Sequence, residues 1–259
     1  MLSAMWLMEE DYQYVNDPSR GPGYVESNVL EFEFTASGYY RGYFYVIDVG
    51  SGTWSSLRKI IDITVSDPNY PSVGKVADNV AAECVQAGNT TEYDKALWLH
   101  DWMLDHCTYD SSLVYCNMEG VLTRGKGTCE SYHRAYVALL KRVGIQTGRI
   151  EGNGHVWTAV RINGQWMQVD ATWNDGGNSS DEVIRHMYFG LDDATMALVH
   201  SDHSPNSGYE SNTLANSYLV RQGLISQWTS AYRSTVQSNI NQGKTSFSTP
   251  INKSQSHFN

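Results

Sequence analysis

Apolar residues return along this chain in two different rhythms. Between Gly125 and Gly144, Tyr132, Ala135, Tyr136, Leu139, Leu140 and Val143 fall at i, i+3, i+4, i+7, i+8 and i+11. That spacing lays one continuous stripe along a helix. Lys141 and Arg142 suit the negative end of its dipole, Gly144 suits its close, and Thr128 is a plausible N-cap. The helix is therefore predicted to begin at Cys129. Upstream, Val73, Val76, Val80 and Cys84 mark one face of a helix that follows the break DPNYPSVG and ends by Gly88. NTTEYDKALWLHDWMLDHCTYD supplies another, with Thr91 and Asp94 resembling a capping box.

From Ile145 the period changes to two. RIEGNGHVWTAVRINGQWMQVDATW holds Asn163–Gly164, a strong hairpin signal, between two alternating runs. A two-residue loop there pairs Ile162 with Gln165, Val160 with Met167, Thr158 with Val169 and Val156 with Ala171. These form the face turned to the core. The opposite face then pairs Ala159 with Gln168, Trp157 with Asp170 and His155 with Thr172. On this register Asp170 is a mid-strand residue and a diagonal neighbour of His155.

The remaining segments set the expected organisation. Residues 1–68 alternate or are rich in β-formers, as in NVLEFEFTASGYYRGYFYVIDVG and KIIDITV, and predict a β-rich N-terminal region. Residues 69–204 form the expected core, with 181–203 a mixed segment. Residues 205–259 predict a small C-terminal strand–helix–strand accessory segment from SYLVRQG, WTSAYRSTVQSNI and KTSFSTPI. The class is α+β.

Charge and composition remove several functions. With 28 acidic and 18 basic residues the net charge is −10, which argues against nucleic acid or an anionic membrane as the main partner. No apolar run reaches the ~20 residues of a membrane span. The first residues, MLSAMWLMEEDYQ, lack the basic start and cleavage site of a signal peptide. The four cysteines, Cys84, Cys107, Cys116 and Cys129, form no CxxC pair. With Cys129 set aside, at most one disulfide can form among the others, and Cys107–Cys116 closes the shortest loop. An acidic chain rich in tyrosine and asparagine fits an extracellular or cell-surface location.

Candidate chemistry then follows from position. A thiol at a helix N-terminus sits in a field that favours its thiolate, the nucleophilic form; the competing reading is a buried structural cysteine. His155 follows Cys129 by 26 positions on a strand, and Asp170 follows by 15 more. A carboxylate beside an imidazole fixes its tautomer and leaves the other nitrogen as a base. Nucleophile Cys129, base His155 and orienter Asp170 make a self-consistent set, and the Cys129 backbone N–H is placed to donate to an oxyanion.

GKGTCESY, GHVW and VDATWND resemble the three signature blocks of the transglutaminase-like superfamily, and HDWMLDHCTYD is similar to the segment leading into the cysteine block in bacterial members. The resemblance covers roughly residues 92–200. It implies a papain-like fold, with the nucleophile's helix packed on an antiparallel sheet, and Cys129, His155 and Asp170 in the roles just given. No cofactor and no metal are expected. Ser131, where the family usually has glycine, and His133, where it has a small residue, are expected to alter the groove wall. The β-rich start and the tail look like accessory elements of secreted proteins from Gram-positive bacteria.

The expected function is thus cysteine-dependent acyl chemistry on peptide or protein amide bonds through a thioester, with water as acceptor (a peptidase or amidase). The alternatives are transfer to an amine, giving a protein-glutamine acyltransferase, and a non-catalytic surface module. A zinc site on Cys129, His155 and Asp170 is a further alternative. Trp157, Trp166 and Trp173 are expected in packing, with Trp157 the one flanking the site. His200 and His203, with Asp192, Asp193 and Asp202, are expected in a solvated acidic loop. His100, His106, His133 and His186 show no chemical partner in the sequence.

Overall fold

The computed structural model describes residues 2–8, 14–16, 33–48, 50–51, 53–54, 59–176, 181–200, 208–224 and 237–244, with backbone alone at 2–8, 14–16, 43–48 and 54. Five strands come first: β1 (Leu2–Met8), β2 (Tyr14–Asn16), β3 (Gly38–Asp48), β4 (Thr53–Trp54) and β5 (Lys59–Val65). They make one antiparallel sheet around β3, which pairs with β1, β4 and β5. The runs GYYRGYFYVID and KIIDITV thus become strand, whereas 28–32 of the run NVLEFEF lie outside the described residues and 33–37 are not strand.

Two helices follow, α1 (Val73–Gln86) and α2 (Glu92–His106). Ser72 caps α1 through its side chain, and Gly88 takes a φ of +87° just beyond its end. The α1 stripe is buried at Val73, Val80 and Cys84, joined by Ala77 and Ala81. At the start of α2, Thr91 Oγ1 accepts from the Asp94 N–H at 3.1 Å and donates to Asp94 Oδ2 at 2.6 Å, closing the expected cap.

The chain then runs through β6 (Thr108–Tyr109), a π-helical turn over Gly120–Arg124 and β7 (Lys126–Gly127) into α3 (Cys129–Arg142). The stripe Tyr132, Ala135, Tyr136, Leu139 and Leu140 is buried throughout and packs on α1, α2 and the second sheet. Truncating either leucine to alanine in such a site costs about 2–5 kcal/mol. That second sheet is antiparallel, in the order β11-β10-β9-β8, from β8 (Thr147–Gly152), β9 (His155–Ile162), β10 (Gln165–Val169) and β11 (Phe189–Leu191). Short helices complete the core: α4 (Ala171–Asn174), α5 (Glu182–His186), α6 (Asp193–Met196) and α7 (Tyr218–Arg221).

The hairpin register is the expected one from Ile162↔Gln165 to Thr158↔Val169, with Asn163 and Gly164 at φ of 51° and 81°. There the ladder ends. Asp170 is no strand residue: it is the N-cap of α4, and its side chain accepts from the Trp173 N–H. The expected pairs Trp157–Asp170 and His155–Thr172 do not form, because capping turns the chain out of the sheet. The second face of the sheet is covered as well, with Ile150, Trp157, Ala159, Leu191 and Met196 in a smaller apolar cluster.

A further correction falls on the tail. SYLVRQG, expected as a strand, contains the one-turn helix α7. Four residues are too few to show a helical period, and Val220 and Tyr218 suggest β by propensity alone. Residues 237–241 are helical, as expected for that part of the tail, whereas 225–236 and 245–259 lie outside the described residues. All four cysteines carry free thiols.

Candidate active site

The approach to Cys129 is built by close packing. Gly125 adopts a φ of +72°, and a Cβ on Gly127 would lie 2.6 Å from Ser131 Cβ. Ser131 Oγ donates to Tyr115 O at 2.8 Å, and the Thr128 N–H donates to the same carbonyl at 3.1 Å. Beneath this turn, Arg124 Nη2 meets buried Glu119 at 2.7 Å and also donates to Glu33 O at 2.9 Å. Thr35 Oγ1 donates to the same carboxylate at 2.5 Å. The stretch after the N-terminal strands β1 and β2 thus braces the turn that presents the cysteine. Thr128 occupies the N-cap position as expected, but its hydroxyl makes no capping bond.

Cys129 and His155 line one cavity of about 740 Å³, with Tyr109, Leu113, Arg149 and Asn153 among its walls. His155 Nε2 lies 2.7 Å from Asp170 Oδ2. A carboxylate only accepts, so this nitrogen carries hydrogen and Nδ1 is the ring nitrogen left over; Cys129 lines the same cavity and is among the groups that act on the ring. Burial works to lower the His155 pKa, but the hydrogen bonds and charges of Asp170 and Cys129 outweigh it and raise it to about 9. Asp170 is fully buried. Burial would raise its pKa, yet hydrogen bonds from His155 and His200 hold it below the usual carboxylate range. By contrast, burial raises the Cys84 thiol and pushes Cys107 up to about 12. Tyr109 is raised as well, by burial and then by the nearby Cys129, and so keeps its proton.

The geometry brings Cys129, His155 and Asp170 together, and it adds a residue that sequence reasoning missed. His200 is buried, not in a solvated loop, and its Nε2 lies 2.9 Å from the same Asp170 Oδ2. Its ring stacks on Trp157 with centroids 4.4 Å apart and lies 4.0 Å from Trp173. The only sequence hint was its place after the apolar run MALV. Trp157 packs as expected, donating Nε1–H to Gln168 Oε1 at 2.7 Å and stacking on His155. Trp166 packs against Tyr209, while Trp173 is partly exposed beside His155. Asp192 caps α6, and Asp193 accepts from Gln168 and from the Ser211 N–H. His203 and Asp202 lie outside the described residues.

The remaining histidines have partners after all. His133 Nδ1 meets Thr158 Oγ1 at 2.9 Å, and His106 Nδ1 meets Trp102 O at 2.7 Å. His100 and His186 both bond to Asp101. Ser131 and His133 are not groove residues: Ser131 is buried under the turn, and His133 lines a separate cavity with Arg134 and Lys141. The wall of the Cys129 cavity is shaped instead by Glu130, whose carboxylate is held by Arg134 and Arg149. Two groups of possible metal ligands occur among the described residues, His100–Asp101–His186 and His155–Asp170–His200. In both, each imidazole already gives an N–H to the shared carboxylate, so hydrogen bonding accounts for the donor set.

Residues 78–171, which hold Cys129, His155 and Asp170, match the family model described as Transglutaminase-like superfamily. This segment is similar to that family over about a third of the chain. Helix α3 against the antiparallel sheet is the α+β arrangement that its sequence blocks implied. The human (Homo sapiens) protein Kyphoscoliosis peptidase is 23% identical over 122 residues, covering 38% of this chain and 18% of that protein. A crystal structure described as that of a TGase overlaps 42% of this chain and 33% of its own, at 16% identity and a TM-score of 0.35. The chain therefore spans well under half the length of these relatives. No helix among the described residues is long and apolar enough to cross a membrane.

Proposed function

We propose that the transglutaminase-like segment is a cysteine-dependent acyl enzyme that hydrolyses peptide or protein amide bonds. The observation that carries this reading is Cys129 sharing a cavity with His155 while Asp170 holds the far nitrogen of that ring. Cys129 Sγ, as thiolate, attacks the amide carbon, and the carbonyl electrons move onto oxygen. The backbone N–H of Cys129, at the first turn of α3, is placed by the helix to donate to that oxyanion. His155 gives its Nδ1 proton to the departing amine as the C–N bond breaks, leaving a thioester. It then takes a proton from water as that water attacks the thioester, and Cys129 leaves as thiolate.

A relative named as a peptidase supports water as the acceptor. The test is digestion of a peptide library by wild type and Cys129→Ala, with products read by mass spectrometry. Wild type should release cleaved peptides, and Cys129→Ala should lose at least ~10³-fold of that rate with an unchanged unfolding temperature. Cleavage surviving in Cys129→Ala overturns the reading. Amine incorporation without cleavage overturns the choice of water as acceptor.

A further inference from the structure

We propose that His200 is a positioning residue of this site, sharing Asp170 with His155 and thereby setting how firmly the His155 imidazolium is held. The inference rests on the catalytic reading of Cys129 and His155. Asp170 Oδ2 accepts from His155 Nε2 at 2.7 Å and from His200 Nε2 at 2.9 Å, and Oδ1 accepts from the Trp173 N–H at 3.1 Å. His200 comes from the segment after α6, 30 positions beyond Asp170 in sequence. It is wedged beside Trp157 and Trp173, and its ring centroid lies 5.4 Å from that of His155.

The physical consequence has a definite sign. Each donor to a carboxylate stabilises its anion and draws charge away from the other donors. With His200 present, part of the Asp170 charge is engaged by an N–H other than that of His155. Without it, the same buried carboxylate faces His155 more strongly, and the imidazolium becomes harder to deprotonate. His200 thus keeps His155 labile enough to pass its proton to a leaving amine and take one back from water. Cys129 from α3 and Asp170 at the head of α4 act on His155 directly, and the His200 ring lies 5.4 Å from it. Tyr109, Glu130, Arg149 and Glu151 share its cavity, and Tyr188 has its own pKa raised by burial and then by Asp170. A residue that only filled space between the two tryptophans would affect stability and leave the His155 titration alone.

The experiment is an NMR titration of ring-labelled histidines in the full chain, with His155 assigned by comparison with His155→Ala. Two variants separate donor from filler: His200→Phe keeps the stacking and removes the N–H, whereas His200→Gln keeps an N–H at nearly the same place. In His200→Phe the His155 midpoint should rise by about one pH unit, roughly tenfold in proton affinity, and in His200→Gln it should return toward that of the parent. An unchanged midpoint in folded His200→Phe, or equal shifts in both variants, overturns the proposal. Should His200→Phe fail to fold, the unsubstituted protein still decides: the His200 ring N–H resonance must move as His155 titrates, and a stationary resonance overturns the coupling. Alkylation of Cys129 in the same samples keeps the two claims apart. An unreactive Cys129 beside a responsive His155 would sink the proposed function while supporting the coupling.

Discussion

Asp170 Oδ2 accepts from His155 and His200, and 69 residues earlier Asp101 Oδ1 accepts from His100 and His186 at 2.9 and 2.8 Å. The same three groups recur, yet their surroundings divide them. His155 has a nitrogen left for Cys129 and a cavity wall to stand on. His100 has neither: Asn174 Nδ2 donates to its Nε2 at 3.0 Å, and the ring is completely buried. His186 Nδ1 meets Glu182 O at 2.8 Å, and Tyr218 stacks on its face at 3.8 Å. The pKa directions follow suit. His155 rises to about 9, whereas burial dominates at His100 and lowers it despite Asp101. An imidazole–carboxylate pair therefore does not make a catalytic site. On the proposed reading, what sets the Asp170 pair apart is a thiol at a helix start and a cavity beside it.

The largest effect that can break this comparison is amide exchange at each aspartate. Asp170→Asn removes the anion that holds the His155 imidazolium and should lower peptide cleavage by about 10³–10⁴-fold, the scale known for a triad aspartate. Asp101→Asn should leave cleavage within a few-fold and instead lower folding stability by roughly 1–3 kcal/mol, as its imidazoles lose a charged acceptor. Rates and denaturant unfolding on both variants decide it. Similar losses of activity from both would show that the clusters are not functionally distinct.

A smaller effect lies in the pH dependence of stability. His155 has a folded pKa above its unfolded value of 6.5, so its contribution is complete below about 6.5 and is lost as pH rises through about 9. His100 has a folded pKa below that value, so the unfolded chain takes up a proton that the folded one refuses, and stability falls as pH drops below about 6.5. The gap in unfolding temperature between wild type and His155→Ala should narrow toward pH 9. The corresponding gap for His100→Phe should narrow toward pH 5. Gaps independent of pH would remove the contrast.

Much of this was legible in the chain because short-range periodicity governs it. The stripe from Tyr132 to Leu140 located α3, and Asn163–Gly164 fixed a register that held through Val169. Period two could not show where the strand ends, and Asp170 was misplaced because an aspartate after an apolar run also caps a helix. His200, His100 and His186 escaped for another reason. Their side-chain hydrogen-bond partners are brought together by α2, α4, α5 and the segment after α6, at separations of 30 to 85 positions except for the adjacent His100–Asp101 pair. No local pattern encodes such meetings. Ser131 and His133 drew attention as departures from a family motif, but α3 turns both away from the cavity.

The central claim is that His155 activates Cys129, and the most direct measurement is the iodoacetamide alkylation rate of each cysteine at neutral pH, read by peptide mass spectrometry. Buried Cys84, Cys107 and Cys116 should react slowly in any case, so the decisive comparison is Cys129 in wild type and in folded His155→Ala. The account predicts a Cys129 rate at least ~10-fold lower in His155→Ala. Equal Cys129 rates in the two proteins would contradict it.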